Sequence, residues 1–230
     1  MSEWITVTAS DGHELSAYVA RPTGEVKAAL VLVQEIFGVN AHIRSVADGY
    51  AKDGFLVVAP ALFDRFERGV ELGYDGADGT RAFAEFYPKL NVDVALKDVA
   101  AGFALAEKQG KAVGVIGYCY GGLMSWLSAC RLSGVGLEPT ATVGYYAGGI
   151  GNFATEQPTC PVLLHFGEKD THIGKEQIDA VRSAHPDVTI YTYPDAEHGF
   201  NCDARSSYNP AAAKLARERS LAFLTKNLIG

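Results

Sequence analysis

The chain has 230 residues, 48% hydrophobic and 20% charged, which excludes disorder and collagen-like repeats and suffices to bury a sizeable core. Lys and Arg number 20 against 27 Asp and Glu, a net charge of -7, so no globally basic surface is offered and no nucleic-acid partner is expected. Its longest apolar stretch, Ala28 to Val33, is too short to span a bilayer, and Met1-Ser2-Glu3-Trp4 does not open a signal-like segment. A cytoplasmic protein without membrane contact is expected, and Cys119, Cys130, Cys160 and Cys202, which include no Cys-x-x-Cys pair, are then free thiols.

Trp4 to Thr8 and Leu15 to Ala20 flank Ser10-Asp11-Gly12 and predict an antiparallel N-terminal hairpin. After Pro22 come apolar runs of the kind covered on both faces: Ala28 to Val33, Phe55 to Ala59, Val113 to Ile116, Thr140 to Tyr145, Val162 to Phe166 and Thr189 to Tyr193. Between them, Ile43, Val46, Ala47 and Tyr50 recur at helical spacing and stop before Gly54; Leu96, Val99, Phe103 and Ala106 do so before Gly110. Leu123, Trp126, Leu127 and Cys130 form another stripe, Ile178 and Val181 a shorter one, and Leu221, Leu224 and Leu228 line a C-terminal helix. This alternation predicts one α/β domain over residues 1-230, a mostly parallel, doubly wound sheet of about eight strands with helices on both faces. Phe63 to Thr80, with Gly69, Gly73, Gly76 and Gly79, breaks the rhythm and reads as a lid or binding loop.

The segment Val113 to Gly122 runs a strand into a helix through Gly117-Tyr118-Cys119-Tyr120-Gly121, a nucleophile-elbow pattern with cysteine in place of serine. Such a turn lifts the thiol above the sheet edge, and the following helix N-terminus favours a thiolate and offers the Tyr120 N–H to an oxyanion. The alternative is a tight turn around an inert buried cysteine. Two partners follow in the order this architecture requires: Asp170, at the end of the run ending His165-Phe166-Gly167, and His198, in the loop after the last strand. His198 is then the general base and Asp170 sets its tautomer. The strand Ala28 to Val33 leads into Gln34-Glu35-Ile36-Phe37-Gly38-Val39-Asn40, where Ile36 is placed to supply a second oxyanion N–H. Glu35 is the odd residue, since a carboxylate beside an anion-stabilising site is unfavourable without a proton or a partner. A metal reading of His165, Asp170 and His172 lacks a helical His pair and a fourth ligand, and neither metal nor cofactor is expected.

These segments, with Val143-Gly144-Tyr145-Tyr146, Gly167-Glu168-Lys169-Asp170 and Glu197-His198-Gly199-Phe200-Asn201, resemble the dienelactone hydrolase family, the cysteine-based branch of the α/β-hydrolase fold. The resemblance covers nearly the whole chain. It implies a carboxylic ester hydrolase that opens the lactone ring of a carboxymethylenebutenolide to maleylacetate, with Cys119, His198 and Asp170 as triad. It implies that Glu35 contacts the thiol and helps activate it when substrate arrives. It also implies arginines over the pocket for the substrate carboxylate, at Arg81 and Arg205, with Phe37 and Tyr145 as further binding residues and Phe83 and Tyr87 as possible pocket aromatics. The arginine after the histidine stands farther along than in the family pattern, across Asn201-Cys202-Asp203, which bears on substrate identity more than on mechanism. The expected partner is a small anionic lactone or ester, bound by a monomer. A class I glutamine amidotransferase also carries cysteine on an elbow, but it needs Glu where this chain has Phe200. A cysteine hydrolase of another ester or lactone, or a redox-sensing or ligand-binding protein on the same scaffold, is the remaining alternative.

Overall fold

The computed structural model describes residues 1–109 and 111–230, so the predicted helix stop at Gly110 lies outside the described residues. Strands β1 (Ser2–Thr8) and β2 (Glu14–Ala20) pair antiparallel around the Asp11-Gly12 turn, and β2 pairs antiparallel with β4 (Phe55–Pro60). β3 (Ala28–Val33), β5 (Val113–Tyr118), β6 (Ala141–Tyr145), β7 (Val162–Gly167) and β8 (Thr189–Tyr193) complete an eight-stranded sheet in the order β1-β2-β4-β3-β5-β6-β7-β8, parallel from β4 onward. β3, β4 and β5 are buried along their full length, as their unbroken apolar sequences require. β8 departs from that pattern: it is the sheet edge, and Thr189 is exposed while Ile190 to Thr192 are half-buried.

The helices start where side chains can satisfy their first N–H groups. Asn40 caps α1 (Ala41–Lys52), Asn91 caps α3 (Val92–Glu107), and Asn209 caps α6 (Pro210–Leu228), where Pro210 occupies the first turn and sacrifices no bond. α4 (Tyr120–Arg131) and α5 (Lys175–Ala184) follow β5 and β7. α1 and α6 pack on one face of the sheet, and α3 and α4 on the other. Arg65 clasps the fully buried Asp98 of α3 at 2.6 Å, tying the turn after β4 to that helix. Among the described residues no helix is long and apolar enough to cross a membrane.

The glycine-rich stretch is pinned rather than free. A bridge joins Gly38 to Glu71, the Leu72 N–H donates to Phe37 O at 2.9 Å, and Asn40 Nδ2 donates to Leu72 O at 2.9 Å. It continues into a short helix, α2 (Gly76–Arg81), a wide turn at Ala82–Phe86 and a tight turn at Tyr87–Lys89. The sequence does not predict α2, because Gly76 and Gly79 are poor helix formers.

Candidate active site

Cys119 stands between β5 and α4 at φ 56°; among the described residues only Tyr146 shares a positive φ without being glycine. Such backbone is costly and persists where its surroundings fix it; here the Cys119 N–H donates to Tyr145 O at 3.0 Å. Gly121 allows the helix to come so close to β3: a Cβ there would overlap the Val33 carbonyl oxygen. As the first residue of α4, Tyr120 has no carbonyl one turn earlier to receive its N–H. The Ile36 N–H makes no hydrogen bond among the described residues. Both residues line, with Cys119, a cavity of about 450 Å³. Gln34 fixes the Ile36 loop, donating to Glu35 O at 3.2 Å and accepting from Leu62 N at 3.0 Å.

His198 lines the same cavity, and its Nδ1 lies 2.8 Å from Asp170 Oδ2. The other oxygen of Asp170 accepts from the N–H groups of His172, at 2.8 Å, and Ile173, at 3.1 Å. Burial pushes this carboxyl up, but His198 and those two amides outweigh it and hold the acid below its ordinary range. Burial likewise opposes charge on His198, yet the Cys119 sulfur first, then Asp170, raise the imidazole to about 10. Tyr146 packs its ring 5.0 Å from the His198 ring.

Glu35 is fully buried. Its Oε2 accepts from the Tyr74 hydroxyl at 2.7 Å, while Oε1 lies 3.5 Å from Arg205 Nη1 and has no hydrogen-bond partner. This partnership resolves the isolated carboxylate of the sequence. Arg205 arrives by two successive turns, Cys202 N to Gly199 O at 2.9 Å and Arg205 N to Cys202 O at 3.2 Å, so the longer loop folds back on itself. Gly199, at φ 78°, leaves room for the guanidinium, which a Cβ would strike. Burial and the Glu35 charge push the neighbouring Cys202 thiol up to about 11.

Phe37, Phe83, Tyr87 and Arg205 line the cavity. Arg81 and Tyr145 do not. Arg81 is taken up by Glu67 and, at 3.0 Å, by Glu85, with its guanidinium over the Phe86 ring. Tyr145 is wholly buried, its hydroxyl 2.7 Å from Ser220 on α6. His165 lies in the same interior layer, bonded to Tyr193 and Ser220 at 2.9 Å each, and not beside Asp170 as a metal ligand. Among the described residues the one group with ligand atoms mutually within 4.8 Å is His42, Cys202 and Asp203. Sequence reasoning missed Tyr74 and Tyr146 as neighbours of the reacting groups. Tyr74 is the lone tyrosine of the glycine-rich stretch, a signal that could have found it.

A mostly parallel eight-stranded sheet with a thiol on a strained strand-to-helix turn, a histidine–carboxylate pair at neighbouring strand ends and free amides beside them defines a protein of the α/β-hydrolase fold. The chain belongs to the dienelactone hydrolase family, whose sequence pattern matches residues 15–228. It is 30% identical over 233 residues to a carboxymethylenebutenolidase of Pseudomonas putida, covering 97% of this chain and 96% of that one. It is 34% identical over 221 residues, 87% of each chain, to a Synechocystis protein provisionally named for the same activity. A crystal structure from Klebsiella pneumoniae, provisionally called a dienelactone hydrolase, matches with a TM-score of 0.83 and 28% identity over 98% of both chains. The chain is accordingly a hydrolase.

Proposed function

We propose that the protein hydrolyses the lactone ring of a carboxymethylenebutenolide to maleylacetate through a thioester on Cys119. The observation that carries this reading is the cavity that brings together Cys119 on its strained turn, the Ile36 and Tyr120 backbone and His198, held at 2.8 Å by Asp170. Charge on the Cys119 sulfur is the first influence raising His198, to about 10, so thiolate and imidazolium form as a pair.

The thiolate attacks the lactone carbonyl, and the Ile36 and Tyr120 N–H groups receive the oxyanion. Collapse breaks the ring C–O bond; the departing enolate takes a proton, leaving the acyl group on sulfur. Sulfur no longer carries charge in that thioester, so the largest influence raising His198 is gone and the imidazole falls toward neutrality. Neutral His198 then deprotonates the water that releases the acid, and sulfur departs as the thiolate beside the new imidazolium. A substrate carboxylate reaching Arg205 competes with Glu35 for the guanidinium. Glu35, whose Oε1 has no hydrogen bond to lose, is then free to turn toward the thiol, take its proton and pass it to His198, which forms the thiolate–imidazolium pair that starts the cycle.

The test follows ultraviolet loss of dienelactone with the purified protein and with Cys119→Ala. Loss that depends on Cys119 is expected. Dienelactone left intact while a neutral ester is cleaved in a Cys119-dependent way would move the substrate elsewhere, and undiminished turnover by Cys119→Ala would remove the nucleophile.

A further inference from the structure

The cavity above Cys119 is larger and less polar than a small acidic lactone needs. Such a lactone fills the part bounded by Cys119, His198, Ile36 and Arg205. Beyond it the wall is made by Leu123 of α4, by Phe153, and by Phe83, Tyr87 and Leu90 from the turns that follow α2. Phe83 and Tyr87 are 52% and 57% exposed, and their rings stand 6.0 Å apart at 48°. Paired exposed aromatics are an expensive way to meet water unless a ligand covers them.

Charge in the same region is already spent. Arg205 faces Glu35 at 3.5 Å, and Arg81 is held by Glu67 and Glu85 outside the cavity. The Lys89 ammonium lies 5.5 Å from the centre of the Phe86 ring and does not line the cavity. Apart from the groups around the thiol, the polar side chains of the lining are Asn152 and His172. A second anionic arm would find no unmatched guanidinium there, whereas a flat uncharged ring would meet aromatic and aliphatic side chains on several sides.

We infer that the site also takes substrates with an uncharged aryl limb, which lodges between Phe83, Tyr87, Leu90, Leu123 and Phe153 while the reacting carbonyl lies over Cys119. The limb belongs to the acyl side. That part stays on the enzyme through both acylation and hydrolysis of the thioester, so a wall that holds it assists both steps, whereas the leaving group departs after the first. The reaction is unchanged: sulfur bonds to the acyl carbon as the C–O bond breaks, the departing oxygen takes a proton, and water oxygen replaces sulfur. This inference rests on the thioester reading above and adds aryl-bearing lactones or esters to the substrates of the same site.

Trifluoroethyl phenylacetate and trifluoroethyl acetate share a leaving group that has no ring. Their kcat/KM values, each divided by the rate of hydroxide-catalysed hydrolysis, are compared in the wild-type protein, Phe83→Ser, Tyr87→Ser and Cys119→Ala. The wild type is expected to favour the phenylacetate by about tenfold or more, the scale of one well-packed ring. Either serine variant should cut that ratio by roughly threefold or more, and the exposure of both positions makes loss of the fold a poor explanation. Equal normalised kcat/KM for the two esters, with turnover still dependent on Cys119, overturns the aryl limb and leaves the hydrolase reading standing. No Cys119-dependent turnover of either ester, with dienelactone still opened, overturns the aryl limb alone; no Cys119-dependent turnover of dienelactone as well overturns both.

Discussion

The charge on His198 depends on what Cys119 carries. Removing the thiol with Cys119→Ala should bring the His198 titration down from about 10 toward its ordinary 6.5, a shift read by NMR of the ring protons; a titration that stays near 10 would assign the shift to Asp170 alone. Turnover in that variant should drop by ~1000-fold or more. Glu35 is the other residue whose position matters in the proposed mechanism, and the Tyr74 hydroxyl restrains it at 2.7 Å. A hydrogen bond to a charged group contributes about 1.5–3 kcal/mol, so Tyr74→Phe should raise the turnover of neutral esters roughly tenfold to a hundredfold relative to the anionic lactone. Steady-state kinetics on both substrates checks this, and an unchanged ratio would make Tyr74 a packing residue only. Cys119, Asp170 and His198 were legible because each sits at the end of an apolar run. Tyr74 was not, because its bond to Glu35 joins residues 39 apart in the chain.

Elements built from strong periodicity were read within a residue or two. The unbroken apolar runs gave β3 through β5, and the stripe Leu123, Trp126, Leu127 gave α4. The short helix α2 was obscure because Gly76 and Gly79 oppose local helix propensity. Arg81 shows the same limit: its place in the sequence suits a clamp, but Glu67 and Glu85 close on it from neighbouring turns. Arg205 errs in the opposite direction, reaching Glu35 despite its longer separation from His198 because the loop doubles back across Gly199. The approach of α4 to β3 leaves no room for a side chain at Gly121. Gly121→Ala forces a methyl group into the Val33 carbonyl and should cost about 1–3 kcal/mol. Urea unfolding measures this, and a variant as stable as the wild type would mean that the helix can shift without strain.

Across the whole molecule, the interior layer beneath the site couples stability to pH. His165 on β7 accepts no charge readily: burial first, with Arg219 adding to it, holds the imidazole down at about 3 against an ordinary 6.5. Between those values the unfolded chain binds a proton that the folded chain refuses, so stability should fall as the pH drops from 6.5 toward 3. Urea midpoints across that range should show the slope, and His165→Gln, which can still bridge the hydroxyls of Tyr193 and Ser220, should flatten it. An identical slope in the variant would place the acid sensitivity in other groups. The net charge of -7 and the general course of the sheet were open to sequence reading; this buried titration was not, since it arises from α6 closing over β7 from far along the chain.

The lid stretch and the oxyanion loop are one stitched piece of backbone: Leu72 is bonded to Phe37 and Asn40, immediately beyond Ile36, and Tyr74 is bonded to Glu35. Movement of the glycine-rich stretch therefore pulls on the backbone next to Ile36, whose amide is the proposed oxyanion donor. Entry of a bulky guest and assembly of the catalytic pose share a single clock, and the Leu72 amide proton should keep its time. Its exchange with deuterated solvent counts each loosening of the seam, and a ligand that presses the seam shut should slow that exchange and steady the Ile36 amide in the same stroke.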